Sequence, residues 1–231
     1  MEIYDTDEEQ VAAIKRWWKE NGTSIIVGLF AGGLIIGGWN LWKNNVQEKS
    51  SQASALYGQL LESINSENTE SSEKIAERVI DQYGSTAYAS YAALLLAKTK
   101  VQQGDLDAAI SIFKKQMHEA DSSELKNIAR MRLIKLMLAK GESEKGLQLI
   151  AEADQSSTQA FAANYDELKG DLYVALDRLG EARTAYESAL RAGLKSPLLQ
   201  FKLDDISSAE IMEIKTDEGL AANKPTANAN E

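Results

Sequence analysis

His118 is the only histidine in the chain, and the chain contains no cysteine. A catalytic triad built on histidine therefore has no clear partner residue, and thiol catalysis, cysteine-bound zinc and iron–sulfur clusters are excluded. A metal site would need carboxylates alone. We expect His118 near the C-terminal end of a helix, where a partly positive side chain is favourable.

The acidic residues also lack a pattern that indicates chemistry. Residues such as Glu142, Glu144, Asp204 and Asp205 are interpreted as a solvated surface rather than as paired catalytic acids. The clustered glycines all lie in an apolar segment, so no phosphate-binding loop is expected. The sequence therefore predicts a protein that is not an enzyme and that has no catalytic residues, cofactor or metal site.

One segment of the chain is suited to lipid rather than water. No charged residue occurs between Glu20 and Lys43, and the uncharged run is 22 residues long, whereas a membrane-spanning helix needs about 20. Tryptophans bound it on both sides, where headgroups favour amphipathic rings, and we expect them to be interface anchors: Trp17, Trp18, Trp39 and Trp42. The sequence predicts a short acidic tail over residues 1–20 and one transmembrane helix over residues 21–43. A cleaved signal peptide fits less well, because the leader is acidic.

The basic residues beside this segment indicate its orientation. Lys15, Arg16 and Lys19 precede it, and Lys43 and Lys49 follow it. The excess of one positive charge favours a cytoplasmic N-terminus and an exported C-terminal domain.

The glycines inside the segment have a spacing that lets helices pack closely. Gly28 and Gly32 form one G-x-x-x-G motif, and Gly33 and Gly37 form another. Such motifs favour lateral association of membrane helices, including association between copies of one chain. The alternative is that glycine is simply common in membrane helices.

After Lys43 the chain is acidic and its pattern is helical. It carries 21 Lys and Arg residues against 29 Asp and Glu residues, so the basic footprint of a nucleic-acid binder is missing. Apolar residues recur at three- and four-residue spacing. We expect helices near residues 48–66, 72–83, 86–103, 106–119, 122–140, 143–153, 159–177 and 180–192. Residues 44–55 could continue the membrane helix or begin the first soluble helix, and residues 207–231 are predicted to be a flexible tail.

Three segments of the domain are similar to one another. Superposition places Ala109, Gly146 and Ala182 in one column, and the large apolar residues Phe113, Ile150 and Tyr186 follow four residues later. The segments resemble tetratricopeptide repeats, whose period is 34 residues, although Asp177 replaces the turn glycine of that pattern. The resemblance implies an all-α domain over residues 44–206, a solenoid of antiparallel helix pairs. A compact helical bundle is the alternative.

Stacked helix pairs create a groove lined by the first helix of each pair. In the repeat register, this candidate protein-binding groove is lined by Tyr91, Lys98, Lys135, Asn164 and Asp171.

Four stretches carry a resemblance that covers the chain to about residue 206: MEIYDTDEEQVAAIKRWWKENG, the glycine-rich helix ending in GGWNLW, YGSTAYASYAALLLAK and KGDLYVALDRLGEARTAYESAL. In this order they resemble the YfgM family of Gram-negative bacteria, the ancillary subunits of the SecYEG translocon. The resemblance implies a single-pass inner-membrane protein with a periplasmic C-terminal domain. It also implies contacts with the translocon and with a membrane-anchored prolyl-isomerase-type chaperone, so that exported polypeptides pass to the periplasmic chaperone network.

A second function is also compatible with the residues. The chain could be a membrane-anchored scaffold for another envelope assembly or cell-division process, with its glycine-rich helix building a homo-oligomer.

Overall fold

The computed structural model describes residues 7–207, which form helices joined by short turns, with no strand among them. The chain divides into two units between Leu56 and Tyr57. The predicted flexible tail over residues 207–231 lies, apart from Ser207, outside the described residues.

The first helix, α1, runs from Asp7 to Asn65. Residues 44–55 continue the helix that contains the apolar segment, so the helix expected near residues 48–66 is the last part of α1 and not a separate element. Residues 43–55 contain neither proline nor glycine, and nothing in them interrupts the hydrogen bonds from each N–H to the carbonyl four residues earlier. Within α1, one stretch is long and apolar enough to cross a membrane by length and composition, and none of it is buried.

Nine further α-helices follow α1 within the residues that the structure describes. They are α2 Thr69–Gln82, α3 Ala87–Gln102, α4 Leu106–Glu119, α5 Ser123–Ala139, α6 Ser143–Ala151, α7 Gln155–Thr158, α8 Ala162–Ala175 and α9 Leu179–Arg191, and residues 197–207 form a last helix, α10. Three of the starts are capped by the side chains of Asn68, Asp105 and Ser122, which accept hydrogen bonds from backbone N–H groups three residues ahead.

Two regions differ from the sequence-based expectation. The helix expected over residues 159–177 begins only at Ala162, because a short α7 and a 3₁₀ turn over Gln159–Phe161 precede it. Asp154 starts α7 by accepting hydrogen bonds from the N–H groups of Ser156 and Ser157. Residues 197–207 form α10, where no helix is expected from the sequence; α10 begins at Pro197, a residue well suited to a first helical position.

The buried residues form successive clusters along the domain. Each cluster joins neighbouring helices: Ala97, Phe113 and Leu133 join α3, α4 and α5, Ile134, Ile150 and Leu172 join α5, α6 and α8, and Tyr186, Leu199 and Ile206 join α9 and α10. From α2 to α6 each helix packs against the next one in the chain, α8 packs against α9, and α8 also contacts α5 and α6. This nearest-neighbour packing confirms the predicted tetratricopeptide-repeat-like α-solenoid.

The repeat register is visible in the backbone as well as in the core. Ala109, Gly146 and Ala182 are all buried. Five residues before each of them, the turn residue has a positive φ: 83° at Gly104, 75° at Gly141 and 58° at Asp177. Asp177 therefore occupies the glycine position of the last turn and adopts the same left-handed conformation.

Candidate protein-interaction site

A cavity of about 440 Å³ lies on the first-helix face of the domain. Its walls come from α5, α8 and α10. The residues that line this α5–α8 cavity are Ile128, Met131, Arg132, Lys135, Asn164, Glu167, Leu168, Asp171, Leu198 and Lys202. The structure thus brings together three residues of the predicted groove, namely Lys135, Asn164 and Asp171.

Helical spacing explains why these side chains converge. In α5, Ile128, Arg132 and Lys135 are separated by four and three residues, so they lie on one face. The same spacing places Asn164, Leu168 and Asp171 on one face of α8. Because α5 packs against α8, the two faces border the same cavity.

The carboxylates of the cavity are bound to a lysine from α10. The Lys202 Nζ atom lies 2.9 Å from Glu167 Oε1 and 2.7 Å from Asp171 Oδ1. The Tyr186 hydroxyl donates a further hydrogen bond of 2.8 Å to Asp171 Oδ1. Asp171 is therefore part of an ion-paired network that fastens α10 to α8, and it does not present a free carboxylate to a ligand.

This network changes the proton affinity of two of its members. Burial raises the pKa of the Tyr186 hydroxyl, and the hydrogen bond to Asp171 raises it further, so the phenol stays protonated. Burial by itself lowers the pKa of Lys202, but the hydrogen bonds to Asp171 and Glu167 outweigh it, and the net shift is upward. The ammonium of Lys202 therefore remains charged at neutral pH.

The other two cations of the cavity, unlike Lys202, lie on its exposed side. Arg132 and Lys135 are exposed. Neither forms an ion pair or a side-chain hydrogen bond with another described residue. They are available to an anionic ligand group.

The remaining predicted groove residues lie on α3, outside this cavity. Tyr91 is 40% exposed, and its ring centroid lies 6.1 Å from that of Tyr57 and 6.2 Å from that of Tyr88. Lys98, two turns further along α3, is exposed. Tyr91 thus belongs to an aromatic cluster at the start of the domain.

A second, larger cavity of about 1060 Å³ is lined by α6, α7 and α8. Its lysines are paired, since Lys169 lies 2.8 Å from Asp166 and Lys145 lies 3.2 Å from Glu142. This cavity therefore offers no free cation to a ligand, unlike the α5–α8 cavity.

The predicted membrane-contact residues are exposed along α1. A side chain added at Gly28, Gly32, Gly33 or Gly37 would meet no atom within 4 Å. The exposed fractions of the tryptophans are 54% for Trp17, 53% for Trp18, 65% for Trp39 and 60% for Trp42. The backbone at the four glycines and the side chains of the four tryptophans are therefore accessible to lipid or to another helix.

The residues considered for catalysis are dispersed. His118 lies in the last turn of α4, as expected. Glu144 and Glu142 pair with Arg178 and Lys145 on the surface, and Asp204 and Asp205 are exposed. No group of three or more potential metal ligands occurs within residues 7–207.

Sequence reasoning missed several residues of the α5–α8 cavity. Arg132 could have been found, because it precedes Lys135 by one helical turn. Leu198 and Lys202 could not, because they belong to α10, and no helix is expected there from the sequence.

Comparisons with known proteins cover both units of the chain. The family model described as a tetratricopeptide repeat-like domain matches residues 15–208. A protein of Haemophilus influenzae is 29% identical over 206 residues, which is 88% of this chain and 99% of the relative. A protein of Escherichia coli is 25% identical over 210 residues, which is 90% of this chain and 100% of the relative. Both relatives are named ancillary SecYEG translocon subunits.

Proposed function

The chain belongs to the tetratricopeptide repeat-like domain family, and on that premise we propose that it is a non-enzymatic accessory subunit of the SecYEG translocon. In this role it links emerging exported chains to the periplasmic chaperone network. Its partners are the translocon, a membrane-anchored prolyl-isomerase-type chaperone, exported polypeptides and the lipid bilayer. It binds no nucleic acid.

The observation that carries the proposal is the extent of the similarity. The relatives named as translocon subunits match this chain over 99% and 100% of their own lengths. The family model likewise extends over both the apolar segment and the helical domain of this chain. A tetratricopeptide domain alone would not support the proposal, because such repeats serve many unrelated scaffolds.

The anchor accounts for the location of the protein. We place it in the bacterial inner membrane as a single-pass protein, with its N-terminus in the cytoplasm and its helical domain in the periplasm. The three basic residues before the segment, against two after it, support this orientation.

The helical domain supplies the binding function. We assign the candidate groove to Tyr91, Lys98, Lys135, Asn164 and Asp171, in which Asp171 holds α10 in place and the other four face solvent. Exposed aromatic and charged side chains on a rigid helical face are suited to recognising another polypeptide.

Purification of the intact chain from membranes in a mild detergent tests the main proposal. We expect SecYEG subunits and a periplasmic prolyl isomerase to co-purify with the chain. A preparation that contains neither would overturn the assignment.

The orientation has its own experiment, which the absence of cysteine makes simple. A single cysteine is introduced in place of Gln10 or of Lys195, and spheroplasts are treated with a membrane-impermeant maleimide. We expect Lys195→Cys to react in intact spheroplasts and Gln10→Cys to react only after permeabilisation. The reverse pattern would place the domain in the cytoplasm.

The alternative function is an oligomeric scaffold for another envelope assembly or cell-division process. The exposure of Gly28, Gly32, Gly33 and Gly37 supports it, because no residue within 7–207 covers these positions. It predicts that the detergent preparation contains only further copies of the chain. Replacing Gly28 and Gly32 with leucine should then abolish self-association, whereas Leu29→Ile should not.

A further inference from the structure

The α5–α8 cavity combines free positive charge with apolar walls. We propose that it binds an extended peptide segment in which an aspartate or glutamate is flanked by apolar residues, and that Arg132 and Lys135 bind its carboxylate. This inference rests on the proposed function, since it names the class of polypeptide that the domain recognises.

The charge balance inside the cavity is the first argument. Three cations and two carboxylates line it. Both carboxylates are already engaged by Lys202, at 2.9 Å for Glu167 and 2.7 Å for Asp171. The cavity lining therefore keeps an excess of one positive charge, and its two cations outside the Lys202 network, Arg132 and Lys135, attract one further negative charge from a ligand.

The surroundings make this cavity selective for a single carboxylate. The chain as a whole carries a net charge of −10, so a polyanion such as a nucleic acid is repelled by the rest of the surface. A peptide with an isolated acidic side chain avoids most of this repulsion. The forked guanidinium of Arg132 is suited to bidentate contact with a carboxylate.

The apolar walls of the cavity indicate that apolar residues flank the acidic residue in the bound peptide. Met131 and Ile128 lie next to Arg132 on α5, and Leu198 lies on α10 with 60% of its surface exposed. A polypeptide that covers Leu198 removes apolar area from water. The cavity volume of about 440 Å³ falls within the range of roughly 300–1,000 Å³ typical of ligand sites.

A matched pair of peptides tests this specificity on the full-length chain in lipid nanodiscs. Both are fluorescently labelled, alanine-based and extended, with leucines on either side of a central residue that is aspartate in one and asparagine in the other. Fluorescence anisotropy, with empty nanodiscs as the blank, gives the two dissociation constants. We expect the aspartate peptide to bind about tenfold more tightly, because charge-assisted hydrogen bonds are the stronger ones.

Variants of the chain then test whether Arg132 and Lys135 cause the preference for the aspartate peptide. In the Arg132→Gln, Lys135→Gln double variant we expect both peptides to bind equally and weakly. Lys114→Gln, which removes an exposed lysine of α4, should keep the full preference. Circular dichroism should show unchanged helix content in both variants, because all three side chains are exposed.

Three results would overturn the proposal: no saturable binding of either peptide, equal binding of the two peptides to the unmodified chain, or a preference that survives in the double variant. Each leaves co-purification with the translocon unaffected. Failure of the peptide specificity is thus distinguishable from failure of the proposed function.

Discussion

At the scale of single residues, Asp177 shows how the repeat tolerates a departure from its pattern. Its φ of 58° lies in the left-handed region, where Gly104 and Gly141 lie in the earlier turns. Aspartate reaches this region more easily than most residues, because its short side chain can form local hydrogen bonds. The position therefore keeps its backbone geometry although glycine is missing.

Substitution at Asp177 should follow this backbone requirement. We expect Asp177→Ala to lower the free energy of unfolding by about 1 kcal/mol and Asp177→Gly to leave it unchanged or raise it by up to about 1 kcal/mol. Urea unfolding followed by circular dichroism measures both. Equal effects of the two substitutions would show that the backbone conformation is not the cause.

Glu73 makes part of the stability dependent on pH. A hydrogen bond from Lys100, at 2.7 Å, lowers the pKa of the Glu73 carboxyl from its ordinary value of 4.5, burial opposes the shift, and a hydrogen bond from Gln103 reinforces it. Because the pKa is lower in the folded state, the stabilisation is complete above the unfolded pKa and is lost as the pH falls through the folded pKa.

The lowered pKa of Glu73 predicts that the unmodified chain and a variant without this carboxyl differ in how their stability depends on pH. Between about pH 6 and about pH 3, we expect the melting temperature of the unmodified chain to fall more steeply than that of Glu73→Gln. Glu77→Gln, at an exposed position of the same helix, is the control and should follow the unmodified chain. Parallel curves for all three proteins would contradict the role given to Glu73.

At the scale of elements, the contact between α8 and α9 depends on a glycine. A Cβ atom at Gly170 would collide with the ring of Tyr186. The ring is buried, and its hydroxyl is bound to Asp171, so it cannot move aside without breaking the network that also holds α10. Close packing of these helices therefore requires the absence of a side chain at residue 170.

Gly170→Ala should accordingly destabilise the domain. We expect a loss of about 1–3 kcal/mol from overpacking, against the gain of up to about 1 kcal/mol that alanine gives in an open helix. Gly180→Ala in α9 is the matched control, because its Cβ would meet nothing within 4 Å, and it should be neutral or slightly stabilising. Chemical denaturation of both variants measures the difference, and equal stabilities would count against the packing argument.

The proposed membrane segment of α1 can be tested through its tryptophans, since all four in the chain lie at residues 17–42. In vesicles that contain brominated lipids, we expect bromines near the headgroups to quench tryptophan emission more strongly than bromines near the bilayer centre. Stronger quenching from the centre would show that Trp17, Trp18, Trp39 and Trp42 are not interface anchors.

At the scale of the whole molecule, the two units are expected to have separable tasks. Under the proposed function, we expect the anchor to hold the protein beside the translocon and the helical domain to capture polypeptides. Charge reversal in the groove should therefore affect capture without affecting association with the translocon.

The double variant Lys98→Glu, Lys135→Glu tests this separation. We expect the affinity for an acidic polypeptide partner to fall about tenfold, since two exposed positive charges that attract it become negative charges that repel it. Recovery of SecYEG subunits in the same detergent preparation should be unchanged, and Lys114→Glu, Lys195→Glu serves as the control. Undiminished capture by the groove variant would remove Lys98 and Lys135 from the binding surface.

Properties that depend on residues close together in the chain could be predicted from the sequence. The uncharged run from Asn21 to Trp42, the helical periodicity and the column of Ala109, Gly146 and Ala182 were sufficient to predict an anchor and an all-α repeat domain. Each of these signals is local or strictly periodic, so it can be read without knowing which helices touch.

The contacts between side chains of different helices could be identified only from the packed fold. Lys202 is 31 residues from Asp171 in the chain, yet their side chains lie 2.7 Å apart, and this pairing neutralises one predicted groove residue while leaving Arg132 and Lys135 free. Such long-range pairing depends on how α10 packs against α8, and helical periodicity carries no information about that contact.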